Sequence, residues 1–189
     1  NISEAFLNPV LKWTKEYKRS VGFFSSSVLE TLLDGVMGLV GNNGHIYLIA
    51  SPELSEDDIQ VIEQAYEDRA DKLANIVSEK LTLQLELLSE TRLKLLYELI
   101  IKGYLDIKIA VTDDIGIYHD KLGILKDASG NVIAFYGSSN ETYSGYRANY
   151  EKIRIARSWD DGEHGSVIDE EMEFDALWSG THDFVKVYS

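Results

Sequence analysis

His119 and Lys121 are the pair of residues in this chain whose types and spacing best suit chemistry on an anion. Residues two apart on a β-strand point to the same face of the sheet, so we expect the imidazole and the ammonium to lie side by side, with Asp120 opposite. An ammonium neutralises the charge of a phosphate, and an unprotonated imidazole is a nucleophile or a base. Taken alone, a strand histidine is more often structural, so the prediction depends on what accompanies it.

A second polar group follows the next apolar run, where residues 137–140 read Gly-Ser-Ser-Asn. Ser138 and Asn140 share a face by the same period, and a hydroxyl and an amide suit the non-bridging oxygens of a phosphate. The glycine lets the backbone approach a ligand closely. Glu151 opens the following strand, where a carboxylate can hold the tautomer of a histidine and raise its basicity. The combination predicts a site that handles a phosphate ester.

The elements that must position these residues predict an α/β fold. Apolar runs predict strands at 17–24, 45–50, 105–111, 115–125, 132–138, 150–158 and 184–188. Helical spacing predicts helices at 28–40, 56–69 and 167–178, with two more between 70 and 102, a helical or extended lead-in at 5–16 and a polar loop at 160–166.

The strand–helix–strand opening is typical of parallel neighbours, whereas the run from Asp127 to Asn131 predicts an antiparallel hairpin with Gly130 at positive φ. We therefore predict a mixed, mostly central sheet with helices on both faces. Residues 1–189 form one domain in this interpretation, because no linker or repeat interrupts the pattern.

Several polar residues outside this group have simpler interpretations. Ser25 and Ser26 are expected to cap a helix, although a serine run at a strand-to-helix turn can also hold an anion. Ser55 and Asp58 resemble a capping box. The strand at 45–50 is predicted to be buried on both faces. The leucine stripe between residues 73 and 100 predicts core packing, with a dimer contact as the alternative. The remaining histidines, expected to be surface or core residues, are His45, His164 and His182.

Composition limits the classes of function. The chain has 32 acidic and 18 basic side chains and a net charge of −14, which argues against broad non-specific binding of nucleic acid by its surface. Zero cysteines exclude disulfides and thiolate metal sites and fit a cytoplasmic location. No apolar run is long enough to span a membrane, and no signal peptide is recognisable. The missing initiator methionine suggests a domain taken from a longer protein.

The motif residues together resemble the phospholipase D superfamily, whose pattern is His-x-Lys, a downstream Asp, Gly-Ser-x-Asn and a later Glu. One position departs from the family's commonest form, which has Asp where this chain has Lys126, and Asp127 follows one residue later. The family associates that aspartate mainly with structure around the site, so the shift implies a weakened structural contact more than altered chemistry.

The flanking sequence widens the resemblance. It looks like the phospholipase D-like domain at the N-terminus of bacterial DEAD/DEAH-type helicases, and related domains occur in metal-independent restriction endonucleases. The stretches that carry this likeness are YKRSVGFFSSS, LIASPELSEDDI, LDIKIAV, GSSNET and the late Trp178. The family fold is an α-β-α sandwich, which agrees with the layers predicted from the sequence pattern.

The resemblance implies a mechanism and a set of partners. His119 would attack phosphorus to form a phosphohistidine, while Lys121, Ser138 and Asn140 hold the phosphate oxygens. No metal and no other cofactor is expected. The implied substrate is nucleic acid, DNA rather than RNA, and the implied context is a helicase-type domain on the same polypeptide.

The chain contains a single His-x-Lys, because His45, His164 and His182 are not followed by lysine two residues later. The second histidine of the family mechanism must then come from another chain, which predicts a two-fold homodimer with one shared site. Two alternatives stay open. One is a catalytically weak or inactive module for dimerisation or nucleic-acid docking. The other is a lipid hydrolase, which the absence of an amphipathic membrane-facing stretch disfavours.

Overall fold

The computed structural model describes residues 2–73, 90–112, 121–137, 153–182 and 185–188. Its strands are β1 (Thr14–Val21), β2 (His45–Ala50), β3 (Leu105–Thr112), β4 (Leu122–Asp127), β5 (Val132–Gly137), β6 (Ile153–Arg157) and β7 (Val185–Tyr188). A π-helical turn, Ser3–Leu7, leads into α1 (Asn8–Leu11), and further helices are α2 (Ser27–Thr31), α3 (Leu33–Gly41), α4 (Glu56–Leu73), α5 (Thr91–Ile101) and α6 (His164–Ser179).

The described strands form one mixed seven-stranded sheet in the order β6-β5-β4-β1-β2-β3-β7. The adjacent strands β1, β2 and β3 are parallel, and the connections between them carry helices α2 to α5. The pairs β1–β4, β4–β5, β5–β6 and β3–β7 are antiparallel. This arrangement confirms the predicted mixed sheet and its parallel opening.

Two apolar clusters show that both faces of the sheet are covered. The larger one packs helices α1 to α5 against strand residues such as Tyr17, Leu48 and Phe135. The smaller one packs α6, through Phe174 and Leu177, against the opposite face. Successive strand residues alternate between the clusters, as the two-residue period requires. The α/β architecture with helices on both faces, predicted from sequence, is therefore confirmed.

The helix predicted at 28–40 is interrupted at Leu32, where φ is −99° and ψ is 14°. The cause is the Asn8 side chain, whose Nδ2 donates to Thr31 O at 3.0 Å and whose Oδ1 accepts from Gly35 N at 2.9 Å. Backbone groups that a continuous helix would pair internally are satisfied by this amide instead. The result is two shorter helices, α2 and α3.

Three further expectations need correction. Strand β1 begins at Thr14, inside the predicted lead-in 5–16, and ends at Val21 rather than at residue 24. Helix α6 begins at His164, inside the predicted polar loop, because His164 N donates to Asp160 O at 2.9 Å and Val167 N donates to Glu163 O at 3.1 Å. Strand β2 is not buried along its whole length, since His45 and Tyr47 are half-buried. These two side chains point to the α6 face, where Tyr47 packs edge-on against Trp178 with ring centroids 5.2 Å apart.

The β4–β5 hairpin has the predicted turn. Asp127 Oδ1 accepts from the backbone N–H of Ser129 at 2.8 Å and of Asn131 at 2.9 Å, and Asp127 Oδ2 accepts from Asn131 Nδ2 at 2.8 Å. Gly130 has a φ of 86°, a backbone conformation that is unfavourable for residues with a side chain. The aspartate in the shifted family position is thus the residue that closes this turn.

Candidate active site

Three strand ends that adjoin motif residues in sequence lie together at one end of the sheet because of the strand register. Leu122 at the start of β4 pairs with Tyr136, and Gly137 at the end of β5 pairs with Ile153 at the start of β6. The carboxyl end of β1 lies beside the start of β4, since Arg19 pairs with Gly123. We call this edge the motif end and the opposite edge, where the β4–β5 turn lies, the hairpin end.

Of the five candidate residues, Lys121 lies within the described part of the chain. It directly precedes β4 at the motif end and is half-buried. His119, Ser138, Asn140 and Glu151 lie outside the described residues. The structure therefore describes one candidate side chain and the strand ends to which the other four are joined in sequence. The roles assigned to all five stay predictions.

A buried guanidinium lies close to the motif end. Arg19 is 1 % exposed, and its guanidinium carbon lies 5.1 Å from the centre of the Phe135 ring. Gly123 makes this stacking possible, because a Cβ at that position would lie 2.1 Å from Phe135 Cζ. An arginine is always protonated, and its field is stronger in a low-dielectric interior than in water. Arg19 therefore places a positive charge close to the motif end.

Sequence reasoning missed Arg19, although a signal was present. Arg19 shares a face with Tyr17 and Val21 by the strand period, and both of these are buried. A cation between two core positions of a central strand is unusual, because a buried charge is costly unless it is compensated. That pattern alone distinguishes Arg19 from an ordinary surface cation.

The serine run after β1 is occupied by the protein itself. The Ser26 backbone N–H donates to Asp58 Oδ2 at 3.2 Å, and Ser26 Oγ accepts from Arg92 Nη1 at 2.8 Å. Ser25 Oγ accepts from Ser27 N at 3.4 Å, but the N-cap residue of α2 is Ser26, whose side chain makes no cap hydrogen bond, so the expected side-chain cap is wrong. The carboxylate of Asp58 already takes the backbone donor that an external anion at Ser26 would need, which disfavours that alternative.

Asp58 and Arg92 fix the loops around the motif end. Asp58 is fully buried in the first turn of α4, and its N–H donates to Ser55 Oγ at 3.1 Å, which confirms that part of the predicted capping box. Arg92 Nη1 lies 3.4 Å from Asp58 Oδ1. Ser51 Oγ donates to Gly22 O, so the loops after β1 and β2 are tied together as well. Sequence reasoning singled out neither Arg92 nor the buried serine Ser51.

The three described histidines have structural partners. His45 Nε2 lies 2.9 Å from Asp106 Oδ2 at the hairpin end, and the ring of His45 also contacts Tyr47. His164 Nδ1 lies 2.7 Å from Ser158 O, and His182 Nε2 lies 2.9 Å from Glu173 Oε1. These pairings agree with the expectation that the three histidines are surface or core residues.

Neither a protein-family model nor a curated protein sequence matches the chain. Among solved structures, yeast tyrosyl-DNA phosphodiesterase is similar with a TM-score of 0.45 and 11 % identity over 77 % of this chain and 26 % of that one. Phosphatidylserine synthase from Haemophilus influenzae is similar with a TM-score of 0.48 and 15 % identity over 96 % of this chain and 36 % of that one. This chain spans about a quarter to a third of the length of these structures.

Similarities this distant leave the function to be argued from the residues of this chain. Among the described residues, no helix combines the length and the apolar composition that a membrane crossing requires.

Proposed function

We propose that this chain is a phosphodiesterase domain of the phospholipase D superfamily that hydrolyses phosphodiester bonds of nucleic acid. The single observation that carries the proposal is the register of β4, β5 and β6, which brings Leu122, the neighbour of Lys121, to the same end of the sheet as Gly137 and Ile153. A sequence motif spread over 33 residues needs such a fold to act as one site. A register with any of these strands reversed would leave its parts at opposite ends.

The covalent chain limits how far the remaining candidates can lie from that end. His119 is two residues before Lys121, Ser138 follows Gly137 directly, and Glu151 is two residues before Ile153. An extended residue spans at most about 3.6 Å. Each of these positions therefore lies within reach of the motif end, and the proposal assigns their side chains to a common phosphate.

The proposed chemistry proceeds in two displacements. His119 attacks phosphorus with an imidazole nitrogen, and the bond from phosphorus to the leaving oxygen breaks. A second histidine donates the proton that the leaving oxygen needs. Water then attacks the phosphohistidine, its proton passes to the second histidine, and His119 is regenerated. Lys121, Ser138 and Asn140 stabilise the charge on the phosphate oxygens, and Glu151 orients the imidazole.

The second histidine is proposed to be His119 of another copy of the same chain. The three remaining histidines are engaged by other partners, and His45 lies at the hairpin end. Two copies related by a two-fold axis at the motif end would bring two identical half-sites together. Sedimentation measures the oligomeric state. A chain that is strictly monomeric at micromolar concentration and still fully active would contradict this part of the proposal.

The substrate assignment depends on local charge rather than on the whole surface. A net charge of −14 is unfavourable for nucleic acid, but Lys121 and the buried Arg19 supply positive charge at the motif end. We propose that further nucleic-acid contacts come from a covalently linked helicase-type domain. The acidic surface supports the alternative of an inactive docking module, which the same experiment distinguishes.

The deciding experiment measures cleavage of single-stranded DNA, double-stranded DNA, RNA and a simple phosphodiester in the presence of EDTA. We expect activity that persists in EDTA and is lost in His119→Ala. Lys121→Ala should lower kcat by about two to three orders of magnitude, as removal of one charge-stabilising donor does elsewhere.

The matched control is His164→Ala, which removes an exposed histidine whose ring nitrogen contacts a backbone carbonyl. This variant should keep wild-type activity. Equal activity in wild type and His119→Ala would show that His119 is not the nucleophile. A wild-type chain that binds DNA without cleaving any substrate would favour the docking module.

A further inference from the structure

Two tryptophans at the hairpin end face solvent. Trp13, just before β1, is 78 % exposed, and Trp159, just after β6, is 56 % exposed. In the described part of the chain neither indole ring has a ring contact, a cation or a side-chain hydrogen bond. An exposed tryptophan carries a large apolar area, and such side chains are enriched at the centres of binding surfaces.

Both indoles line one groove of about 360 Å³ on the face of the sheet that helix α1 covers. The floor of the groove is apolar and is formed by Pro9, Val10, Leu125 and Ile133. Two of the polar side chains at the groove, Asp127 and Asn131, come from the β4–β5 turn, and the third is Thr14, whose Oγ1 donates to Val10 O at 2.9 Å. An apolar groove with a few fixed polar groups is the usual form of a binding site.

Asp127 is the one charged side chain that lines this groove. The hydrogen bond from Asn131 Nδ2, with those from the backbone of the turn, holds the pKa of Asp127 below its ordinary value. The carboxylate is therefore ionised at neutral pH. Its Oδ2 accepts one hydrogen bond from the turn, and a carboxylate oxygen can accept about two. The groove thus offers a fixed negative charge with capacity for another donor.

The lysines nearest in sequence to Asp127 and Trp13 are directed away from the groove. Lys126 Nζ lies 3.8 Å from Glu171 Oε1 on α6. Lys12 packs against α3, since a Cβ at Gly38 would lie 2.8 Å from Lys12 Cγ. Lys15 Nζ donates to Asn42 O at the end of the same helix. The negative charge of Asp127 is consequently not neutralised from this side, and the groove selects a cation.

We propose that the groove between Trp13 and Trp159 binds an arginine-bearing segment of a partner protein. A guanidinium stacks on an indole face and donates to a carboxylate at the same time, which an ammonium does less well. A second copy of this chain is disfavoured as the occupant, because each copy carries a net charge of −14. Single-stranded nucleic acid, which also stacks on tryptophan, is disfavoured by the carboxylate.

The test uses the three indole N–H resonances of the 189-residue chain, one for each tryptophan. The probe is a short peptide of alternating glycine and arginine, added to about 1 mM. We expect the Trp13 and Trp159 signals to shift and the Trp178 signal to stay, because Trp178 is packed between Tyr47 and Phe174. A peptide of the same length with citrulline in place of arginine should leave all three signals unchanged.

Variants assign the binding to the groove. Trp159→Ala should weaken peptide binding by roughly threefold to thirtyfold, and Asp127→Asn by up to about fivefold. Met172→Ala removes an exposed side chain on α6 and should have no effect. A dispersed Trp178 signal in each variant shows that the chain is folded.

Several results would overturn the proposal. They are equal binding of the citrulline peptide, unchanged affinity in both Trp13→Ala and Trp159→Ala, and tighter binding of choline than of the arginine peptide. A change of sedimentation coefficient in Trp13→Ala would point to a second copy as the occupant instead. These outcomes are independent of phosphodiesterase activity, because the groove lies at the end of the sheet opposite Lys121.

Discussion

A carboxylate pairs with an arginine at each end of the central sheet, in two different settings. At the motif end Asp58 is fully buried, accepts from the Ser26 backbone and lies 3.4 Å from Arg92. At the hairpin end Asp106 keeps 28 % of its side chain exposed and lies 2.7 Å from Arg69. The closer ion pair is therefore the more solvated one. The length of the ion pair alone therefore does not show which carboxylate contributes more to the free energy of unfolding.

The difference lies in what would replace each carboxylate. Without Asp58, the Ser26 N–H would be buried without an acceptor, and such a loss costs more than the hydrogen bond itself contributes. Without Asp106, water can reach Arg69, which also has 28 % of its side chain exposed. The buried pair holds loops next to the proposed site, where fixed surroundings matter for catalysis. The exposed pair joins β3 to α4 at the other end.

The largest expected effect is that of Asp58→Ala. We expect it to lower the free energy of unfolding by about 3 kcal/mol, since it leaves the buried N–H of Ser26 without its acceptor and removes the buried member of the group of acceptors around Arg92. Urea unfolding measures the change. The matched control is Asp57→Ala, which removes another carboxylate 3.4 Å from Arg92 whose side chain is 61 % exposed. Its effect should stay within about 0.5 kcal/mol, and equal effects would refute the comparison.

A second variant tests the packing of the motif end without changing a charge. Gly123→Ala places a methyl group against the Phe135 ring, and overpacking of this kind costs about 1–3 kcal/mol. Gly41→Ala is the control, because a Cβ at Gly41 meets nothing within 4 Å. We expect Gly41→Ala to be neutral or slightly stabilising in thermal unfolding. A stable Gly123→Ala would show that Arg19 and Phe135 are loosely held.

The hairpin-end pair should respond more weakly. We expect Asp106→Asn to lower the free energy of unfolding by about 1 kcal/mol, because the amide keeps one acceptor and water replaces the other. Urea unfolding at neutral pH, in parallel with Asp58→Ala, gives the ratio of the two effects. A loss as large as that of Asp58→Ala would mean that Asp106 is as poorly solvated as Asp58.

Local sequence patterns were enough to predict the layers of the fold. The two-residue and 3.6-residue periods gave the strands and helices, and the run from Asp127 to Asn131 gave the hairpin turn, since all of its hydrogen bonds join residues at most four apart. The break at Leu32 was not predictable, because the amide that causes it comes from Asn8, 23 residues before its partner Thr31. Period alone cannot show a distant side chain that inserts into a helix.

The candidate site divides in the same way. The strand ends beside Lys121 followed from alternation and from the hairpin, and the register confirms that they meet. The hydrogen bond between Arg92 and Ser26, which supports the loops beside the site, was not predicted. The two residues are 66 apart in sequence, and neither is unusual within its own segment. The assignments of His119, Ser138, Asn140 and Glu151 rest on their types and spacing and stay predictions.

The smallest expected effect is a dependence on pH at the hairpin end. The His45 ring, whose Nε2 lies 2.9 Å from the carboxylate, lowers the pKa of Asp106; burial opposes this effect and Arg69 reinforces it. A carboxyl group with a lowered pKa in the folded state stabilises the fold above its unfolded pKa of about 3.9, and this contribution is lost as the pH falls through the folded pKa. The part of the difference between wild type and Asp106→Asn that comes from the Asp106 charge should therefore be present at neutral pH and decline below about pH 4.

The control for this titration changes one of the groups that face Asp106 and keeps the others. The facing groups are His45 on β2 and Arg69 and Tyr66 on α4. His45→Phe removes the largest cause of the lowered pKa and leaves both α4 groups in place, so the carboxyl resonance of Asp106 should titrate at a higher pH than in wild type. If the titration does not move, Arg69 rather than His45 holds the carboxylate ionised. The ionised state of Asp106 would then depend on its ion pair with Arg69.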